Sequence, residues 1–163
     1  MRNPARFRAR SALNGRMKIA LGSDHAGFAA KEQVKLFLVA LGHTPVDFGC
    51  CSEVSVDYPD FILPAAAAVA KGECERGFVF GGSGNGEAIA ANKLRGIRCG
   101  LGWDLESVRL TRAHNDANVL SIGGRLVNAA QIESMVKLFL DTPFEGGRHV
   151  ARLAKLASLG SAA

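Results

Sequence analysis

Glu87 stands directly after Gly81-Gly82-Ser83-Gly84-Asn85-Gly86, a run in which four of six residues are glycine. Glycine has no Cβ and accepts positive φ, so such a loop lets backbone N–H groups approach a ligand closely. Those groups, backed by a helix N-terminus, form a site for negative charge. A carboxylate at the edge of that site is a candidate general base. Anion stabilisation beside a base is the equipment for removing a proton next to a carbonyl.

Other readings of the loop fit less well. It lacks the Gly-Lys-Ser/Thr ending of a nucleotide-triphosphate loop. It reads G-x-G-x-G after the third apolar run, where a dinucleotide site needs G-x-G-x-x-G after the first. A purely structural turn stays open, although the glycine density is high for one.

Asp24-His25 follows the first apolar run and reads either as a helix cap or as a catalytic pair. His114, before Asn115 and Asp116, ends a helical pattern and could simply face helix carbonyls. Gly123-Gly124-Arg125 and Arg148-His149 with Arg152 read equally as solvated surface. Arg148 and Arg152 are four residues apart and share one helix face. Two guanidiniums and an imidazole there suit a phosphate dianion.

The elements that must position these groups alternate. Strands are expected at 17–22, 44–48, 76–81, 97–101 and 118–122. Helices are expected at 26–41, 59–70, from the glycine loop to about Leu94, at 104–114, from Asn128 to about Leu140, and at 148–159. Gly42 ends the first helix, Pro59 suits a first turn, and Asp104 and Asn128 suit N-caps. Such alternation predicts an α/β fold, a parallel sheet with helices on both faces. Ligands of such sheets bind at the carboxyl ends of the strands. Residues 22–25, 81–87, 103–104 and 123–125 would then converge on one edge. Trp103 is expected to pack in the core rather than line the pocket.

Composition limits the partners. The chain has 163 residues and 48% apolar ones, enough for one domain with a sizeable core. No apolar run is long enough and free enough of charge to span a membrane. The formal charge is +5, but residues 1–16 hold five arginines (Arg2, Arg6, Arg8, Arg10, Arg16) and no acid. Without them 15 basic residues face 15 acidic ones, which removes the main support for nucleic-acid binding by the body, 17–163. The tail, 1–16, reads as residues ahead of a true start at Met17, as a disordered basic arm, or as an organellar transit peptide. Cys50, Cys51, Cys74 and Cys99 have no zinc or C-x-x-C spacing and read as free thiols of a reducing cytoplasm, Cys99 as a core filler.

Taken in order, Gly22-Ser23-Asp24-His25-Ala26-Gly27, Asp57-Tyr58-Pro59, residues 81–87, Ala90-Ala91-Asn92-Lys93, His114-Asn115, Gly123-Gly124-Arg125 and Arg148-His149 resemble a sugar-phosphate isomerase family. It contains type B ribose-5-phosphate isomerase and the galactose-6-phosphate isomerase subunits. The resemblance spans Met17 to about Arg152 and leaves out the tail. It implies a three-layer Rossmann-like sandwich with a five-stranded parallel sheet. It implies aldose–ketose isomerisation of a sugar phosphate through an enediolate, with neither metal nor cofactor. The family works as a homodimer or homotetramer whose active sites are shared between subunits.

The resemblance also assigns roles. Many members carry a cysteine base where this chain has Gly81. A second branch reads Gly-Gly-Ser-Gly-Asn-Gly-Glu, with the glutamate as base, so Glu87 is expected to take the proton. The N–H groups of Gly82, Ser83, Gly84, Asn85 and Gly86 would hold the developing enediolate oxygen, and the Ser83 hydroxyl would shuttle a proton. His114 would help open the furanose ring with Asp24 or Asn115 nearby. Tyr58 would line the substrate site. His25, Arg125, Arg148, His149 and Arg152 would hold the phosphate, the last three across a subunit interface. Burial would raise the pKa of Glu87 and the helix N-terminus would lower it; the sequence leaves the winner open. Alternatives are an isomerase of a hexose or tetrose phosphate, a non-catalytic sugar-phosphate sensor, and a nucleic-acid binder that uses the tail.

Overall fold

The computed structural model describes residues 15–159. The expectations for residues 1–16 therefore lie, apart from Gly15 and Arg16, outside the described residues. Eleven elements alternate along the chain. They are β1 (Lys18–Ser23), α1 (Phe28–Ala40), β2 (Thr44–Asp47), α2 (Pro59–Ala70), β3 (Arg76–Gly81), α3 (Asn85–Ala91), β4 (Cys99–Gly102), α4 (Leu105–Ala113), β5 (Val119–Gly123), α5 (Ala129–Asp141) and α6 (Arg148–Ser158).

The five strands form one parallel sheet in the order β2-β1-β3-β5-β4. The central strands β1, β3 and β5 are buried almost throughout, as continuous apolar runs demand. The edge strands β2 and β4 are only partly covered. Pro45 sits in edge strand β2, where a missing N–H is tolerated. One sheet face packs Val34 and Leu38 of α1, Val108 of α4, and Met135 and Phe139 of α5. The other packs Ile62, Ala65 and Ala66 of α2 with Ala90 and Ala91 of α3. The result is the expected three-layer sandwich.

Local signals act where they stand. Pro59 opens α2. Asp104 caps α4 in a capping box with Ser107, and Asn128 caps α5 with Gln131. Three boundaries move by two residues or more, the first being α1, which starts at Phe28 rather than at 26. Helix α3 stops at Ala91 rather than near Leu94, because the Asn92 side chain pairs with the Cys99 backbone through Nδ2–H to O (2.9 Å) and N–H to Oδ1 (2.8 Å). That pairing feeds the chain into β4, which starts two residues later than expected. Trp103 is 69% exposed at the end of edge strand β4, so the core expectation for it is wrong. Among the described residues no helix is long and apolar enough to cross a membrane.

Candidate active site

The chain order turns back between β1 and β3, which makes their carboxyl ends the switch point of the sheet. Residues 81–87 leave β3 there, and Asp24 and His25 leave β1. The loop is sewn to its neighbours. Gly124 N–H donates to Gly81 O (2.8 Å), Arg125 N–H to Gly82 O (3.2 Å), and buried Ser121 Oγ to Gly84 O (2.7 Å). Gly84 has φ +83° at the N-cap of α3, a conformation open to glycine at little cost. The N–H groups of Gly82 and Ser83 have no partner among the described residues. Ser83 Oγ accepts from Asn85 N–H (3.3 Å), and both side chains are exposed.

Glu87 turns back under this loop and is only 4% exposed. Its carboxylate fills the space that Gly81 leaves open. A Cβ on Gly81 would lie 2.6 Å from Glu87 Oε2, and nearer still to Oε1 and the carboxyl carbon. Burial pushes the Glu87 carboxyl above the ordinary carboxylate range, and the negative charge of Asp24 adds to the push. Backbone hydrogen bonds at Glu87 and Gly84 pull the other way and lose. Burial is the largest of these influences and sets the direction of the shift. Cys99 is not a rival base: burial pushes its thiol up to about 12, with the charge of Glu87 adding to that rise. Cys99 is half-buried and the four cysteines are free thiols.

Four more of the expected residues lie at this carboxyl edge. Asp24 is buried, and its Oδ1 accepts from Gly27 N–H (3.0 Å) in the turn before α1; the N-cap of α1 is Gly27, so Asp24 is not the cap of that helix. His25 accepts from Val56 N–H at Nδ1 (3.2 Å), which leaves Nε2 as the donor nitrogen of the ring. Tyr58 covers Gly86, whose Cβ would meet the ring at 2.9 Å. Arg125 lies beside Gly82, where a Cβ would meet its Cδ at 3.7 Å. Arg125 is exposed and has no acidic partner among the described residues.

The remaining predicted residues are elsewhere. Helix α4 runs back from the carboxyl end of β4, so His114 and Asn115 emerge at the amino edge of the sheet. There Arg98 Nε, just before β4, donates to Asn115 O (2.9 Å). Arg148, His149 and Arg152 join them: the His149 ring stacks on His114 at 4.2 Å between centroids and 14° between planes. Strands of four to six residues separate the two edges, about 15–20 Å at the usual rise. The expected neighbourhood of His114 and Asp24 is therefore absent within one chain. His114 and Asn115 do stay together.

Sequence reading missed Glu145 in this cluster. Its Oε2 lies 3.5 Å from His114 Nε2, and its backbone N–H donates to Ala113 O (2.9 Å). The only sequence signal was its place before Gly146-Gly147-Arg148-His149. Ligand atoms of His114, Glu145 and His149 come within 4.8 Å of one another. The two rings are nearly parallel, so their in-plane lone pairs point alike rather than converge on one ion; this is a stacked pair beside a carboxylate, not a preformed chelate. Loss of solvent pushes the His149 imidazole below its ordinary value, and the charges of His114, Arg148 and Arg152 push the same way.

Residues 19–156 match the family model described as ribose/galactose isomerase. The chain belongs to that family. It is 44% identical over 143 residues to ribose-5-phosphate isomerase B of Mycolicibacterium paratuberculosis, covering 86% of this chain and 90% of that one. Among solved structures, ribose-5-phosphate isomerase B of Clostridium thermocellum is 45% identical with a TM-score of 0.85, over 86% of this chain and 95% of the other. The Mycoplasma genitalium enzyme with bound ribulose-5-phosphate is 34% identical with a TM-score of 0.83, over 86% and 93%. Within the ribose/galactose isomerase fold, the carboxyl edge carries Glu87, His25 and Arg125, and the amino edge carries His114, His149, Arg148 and Arg152.

Proposed function

We propose that the chain interconverts ribose 5-phosphate and ribulose 5-phosphate through an enediolate, with Glu87 as the base. The observation that carries this reading is the buried Glu87 carboxylate, raised above its ordinary pKa, seated in the space Gly81 leaves beside the free N–H groups of Gly82 and Ser83. Glu87 takes the proton from the carbon beside the aldehyde and returns it to the aldehyde carbon. The loop N–H groups meet the oxygen on which charge develops, and each such donor is worth about 10²–10³-fold in rate. The exposed Ser83 hydroxyl moves a proton between the two enediolate oxygens. His25 Nε2–H and Arg125 take the phosphate from the same chain.

The other half of the site comes from a second copy. His114, Asn115, Arg148, His149 and Arg152 serve the Glu87 of a partner, in a homodimer or a pair of dimers. Two features support this arrangement. Exposed apolar side chains, Val54, Ile89, Trp103, Leu105 and Leu126, follow the carboxyl ends of β2, β3, β4 and β5 in the chain. Helix α6 buries only His149 and Leu153 and leaves a groove of about 730 Å³ against residues 92–100, while Val150, Leu156 and Leu159 stay exposed. A sheet edge followed by exposed apolar side chains and a helix with an uncovered apolar face are the surfaces that association would bury.

A complementation assay tests the shared site. Glu87→Gln and His114→Asn are each expected to be nearly inactive on ribose 5-phosphate. Refolded together in equal amounts, they should recover roughly a quarter of native activity, since half of random dimers are mixed and each mixed dimer holds one intact site. No recovery would mean that each chain builds its site alone.

Arg148 and Arg152, one turn apart on α6, have no acidic partner among the described residues. They are the phosphate clamp in this reading. Arg148→Ala should raise KM by about 10–100-fold, the worth of a charge-assisted phosphate contact, and lower kcat less. Steady-state kinetics would show it; equal efficiency of the native enzyme on unphosphorylated ribose would remove the clamp.

A further inference from the structure

His114 presents its two ring nitrogens to different surroundings. Nε2 faces the Glu145 carboxylate at 3.5 Å. Nδ1 has no hydrogen-bond partner among the described residues. His149 covers one face of the ring.

Glu145 is itself held from several sides. Its backbone N–H is bonded to Ala113 O, the last residue of α4, so the segment after α5 runs along the helix end that carries His114. Gly146 (φ +69°) and Gly147 (φ +56°) then turn the chain into α6, and His149 N–H donates to Gly146 O (3.1 Å). Its carboxylate oxygens are divided. Oε2 faces His114, and Oε1 faces Arg109 Nη1 at 3.8 Å. Arg109 is in turn fixed by Glu106 through Nε (2.9 Å) and Nη2 (2.7 Å).

We infer that Glu145 is the positioning residue for the ring-opening step, holding the His114 imidazole with its proton on Nε2 and its lone pair on Nδ1. This rests on the reading of His114 as the ring opener. In that step the anomeric O–H gives its proton to Nδ1. The bond between the anomeric carbon and the ring oxygen breaks, and its electron pair goes to the ring oxygen. The carbonyl forms, and Nδ1–H returns the proton to the freed oxygen. Throughout, Nε2–H stays toward Glu145, whose negative charge compensates the transient imidazolium. A carboxylate behind an imidazole sets the tautomer in this way in general. Glu145 touches no substrate atom; it is 51% exposed in the free chain and would be closed off by the partner copy that His114 serves.

The test uses a property of the two substrates. Ribose 5-phosphate is a closed ring and must be opened. Ribulose 5-phosphate carries its phosphate on the hydroxyl that would close a furanose, so it enters as an open chain. Enediolate formation from it is read by exchange of a carbon-bound hydrogen at C1 with deuterated water. Glu145→Gln in the full-length enzyme should slow conversion of ribose 5-phosphate by about 10-fold or more, part of the ~10²–10⁴-fold that a positioned acid–base group supplies. Exchange into ribulose 5-phosphate should change by less than about twofold. Equal losses in both assays would mean a merely structural role, and no loss in either would mean no role; both overturn the inference. His114→Asn measured in parallel separates the two layers. If His114→Asn converts ribose 5-phosphate at the native rate, the underlying reading of His114 fails. If His114→Asn is slow and Glu145→Gln is not, the inference about Glu145 fails alone.

Discussion

Glu87→Gln is expected to lower kcat by about 10²–10⁴-fold with little change in KM, the signature of a lost general base. Glutamine keeps the shape of the side chain and its place under the glycine loop. It has no basic oxygen to receive the substrate proton. Steady-state kinetics with ribose 5-phosphate, and C1 exchange with ribulose 5-phosphate, should both collapse, because both pass through the same proton removal. A variant that retained native turnover would take Glu87 out of the role.

The pH dependence follows from the same burial. Glu87 must be ionised to act, and burial holds its carboxyl above the ordinary range. The acid limb of kcat/KM should therefore lie above the ordinary carboxylate pKa, with activity lost as pH falls through the raised value. The stability effect has the opposite sign. A carboxyl whose folded pKa is raised binds its proton more tightly in the native state than in the unfolded one. The native state is therefore destabilised as pH rises through the raised pKa. Glu87→Gln should melt no lower than the native enzyme at neutral pH, and any gain should shrink as the solution is acidified.

Gly81→Ala should inactivate nearly as fully, by about 10²-fold or more, although alanine adds a single methyl group. That methyl would fall on the Glu87 carboxylate, 2.6 Å from Oε2 and closer to its other atoms. One of the two must leave, and a general base displaced by an ångström loses most of its effect. Overpacking of this kind also costs about 1–3 kcal/mol of stability, to be read by denaturant unfolding. Gly82→Ala is the control for stability. The nearest atoms to its Cβ would be those of Arg125 and Ala26, at 3.7–3.8 Å, an ordinary contact. Unaltered kinetics in Gly81→Ala would mean that the carboxylate works from another position. The resemblance implies two branches of the family, one with a cysteine base at position 81 and one with a glutamate base at position 87. A cysteine at position 81 and a glutamate at position 87 would put their reactive atoms in the same space, so each excludes the other. Gly81→Cys should therefore be tolerated only together with Glu87→Ala.

Sequence leaves open whether burial raises the Glu87 carboxyl or the helix N-terminus lowers it; in the structure it is raised, with burial as the largest cause. Sequence shows the helix start and the acid but not the depth of the side chain. Depth depends on β1, β3 and β5 all lying against the loop. Glu145 was not legible for a related reason. Nothing in its neighbourhood in the chain links it to His114, thirty-one residues earlier. Their approach is made by α5 returning alongside α4.

By itself the sequence determined the alternation of strands and helices and the helix starts at Pro59, Asp104 and Asn128. It also determined the glycine loop with its carboxylate, because periodicity, capping and turn chemistry act within a few residues. Only the tertiary structure decided the neighbours. Strand β5 enters the sheet between β3 and β4, which sets Arg125 beside Gly82 and leaves Trp103 on the outer edge. The return of α4 to the amino edge parts His114 from Asp24. Strand order is a choice among pairings distant in sequence, made by the burial of whole sheet faces rather than by any residue's own preference.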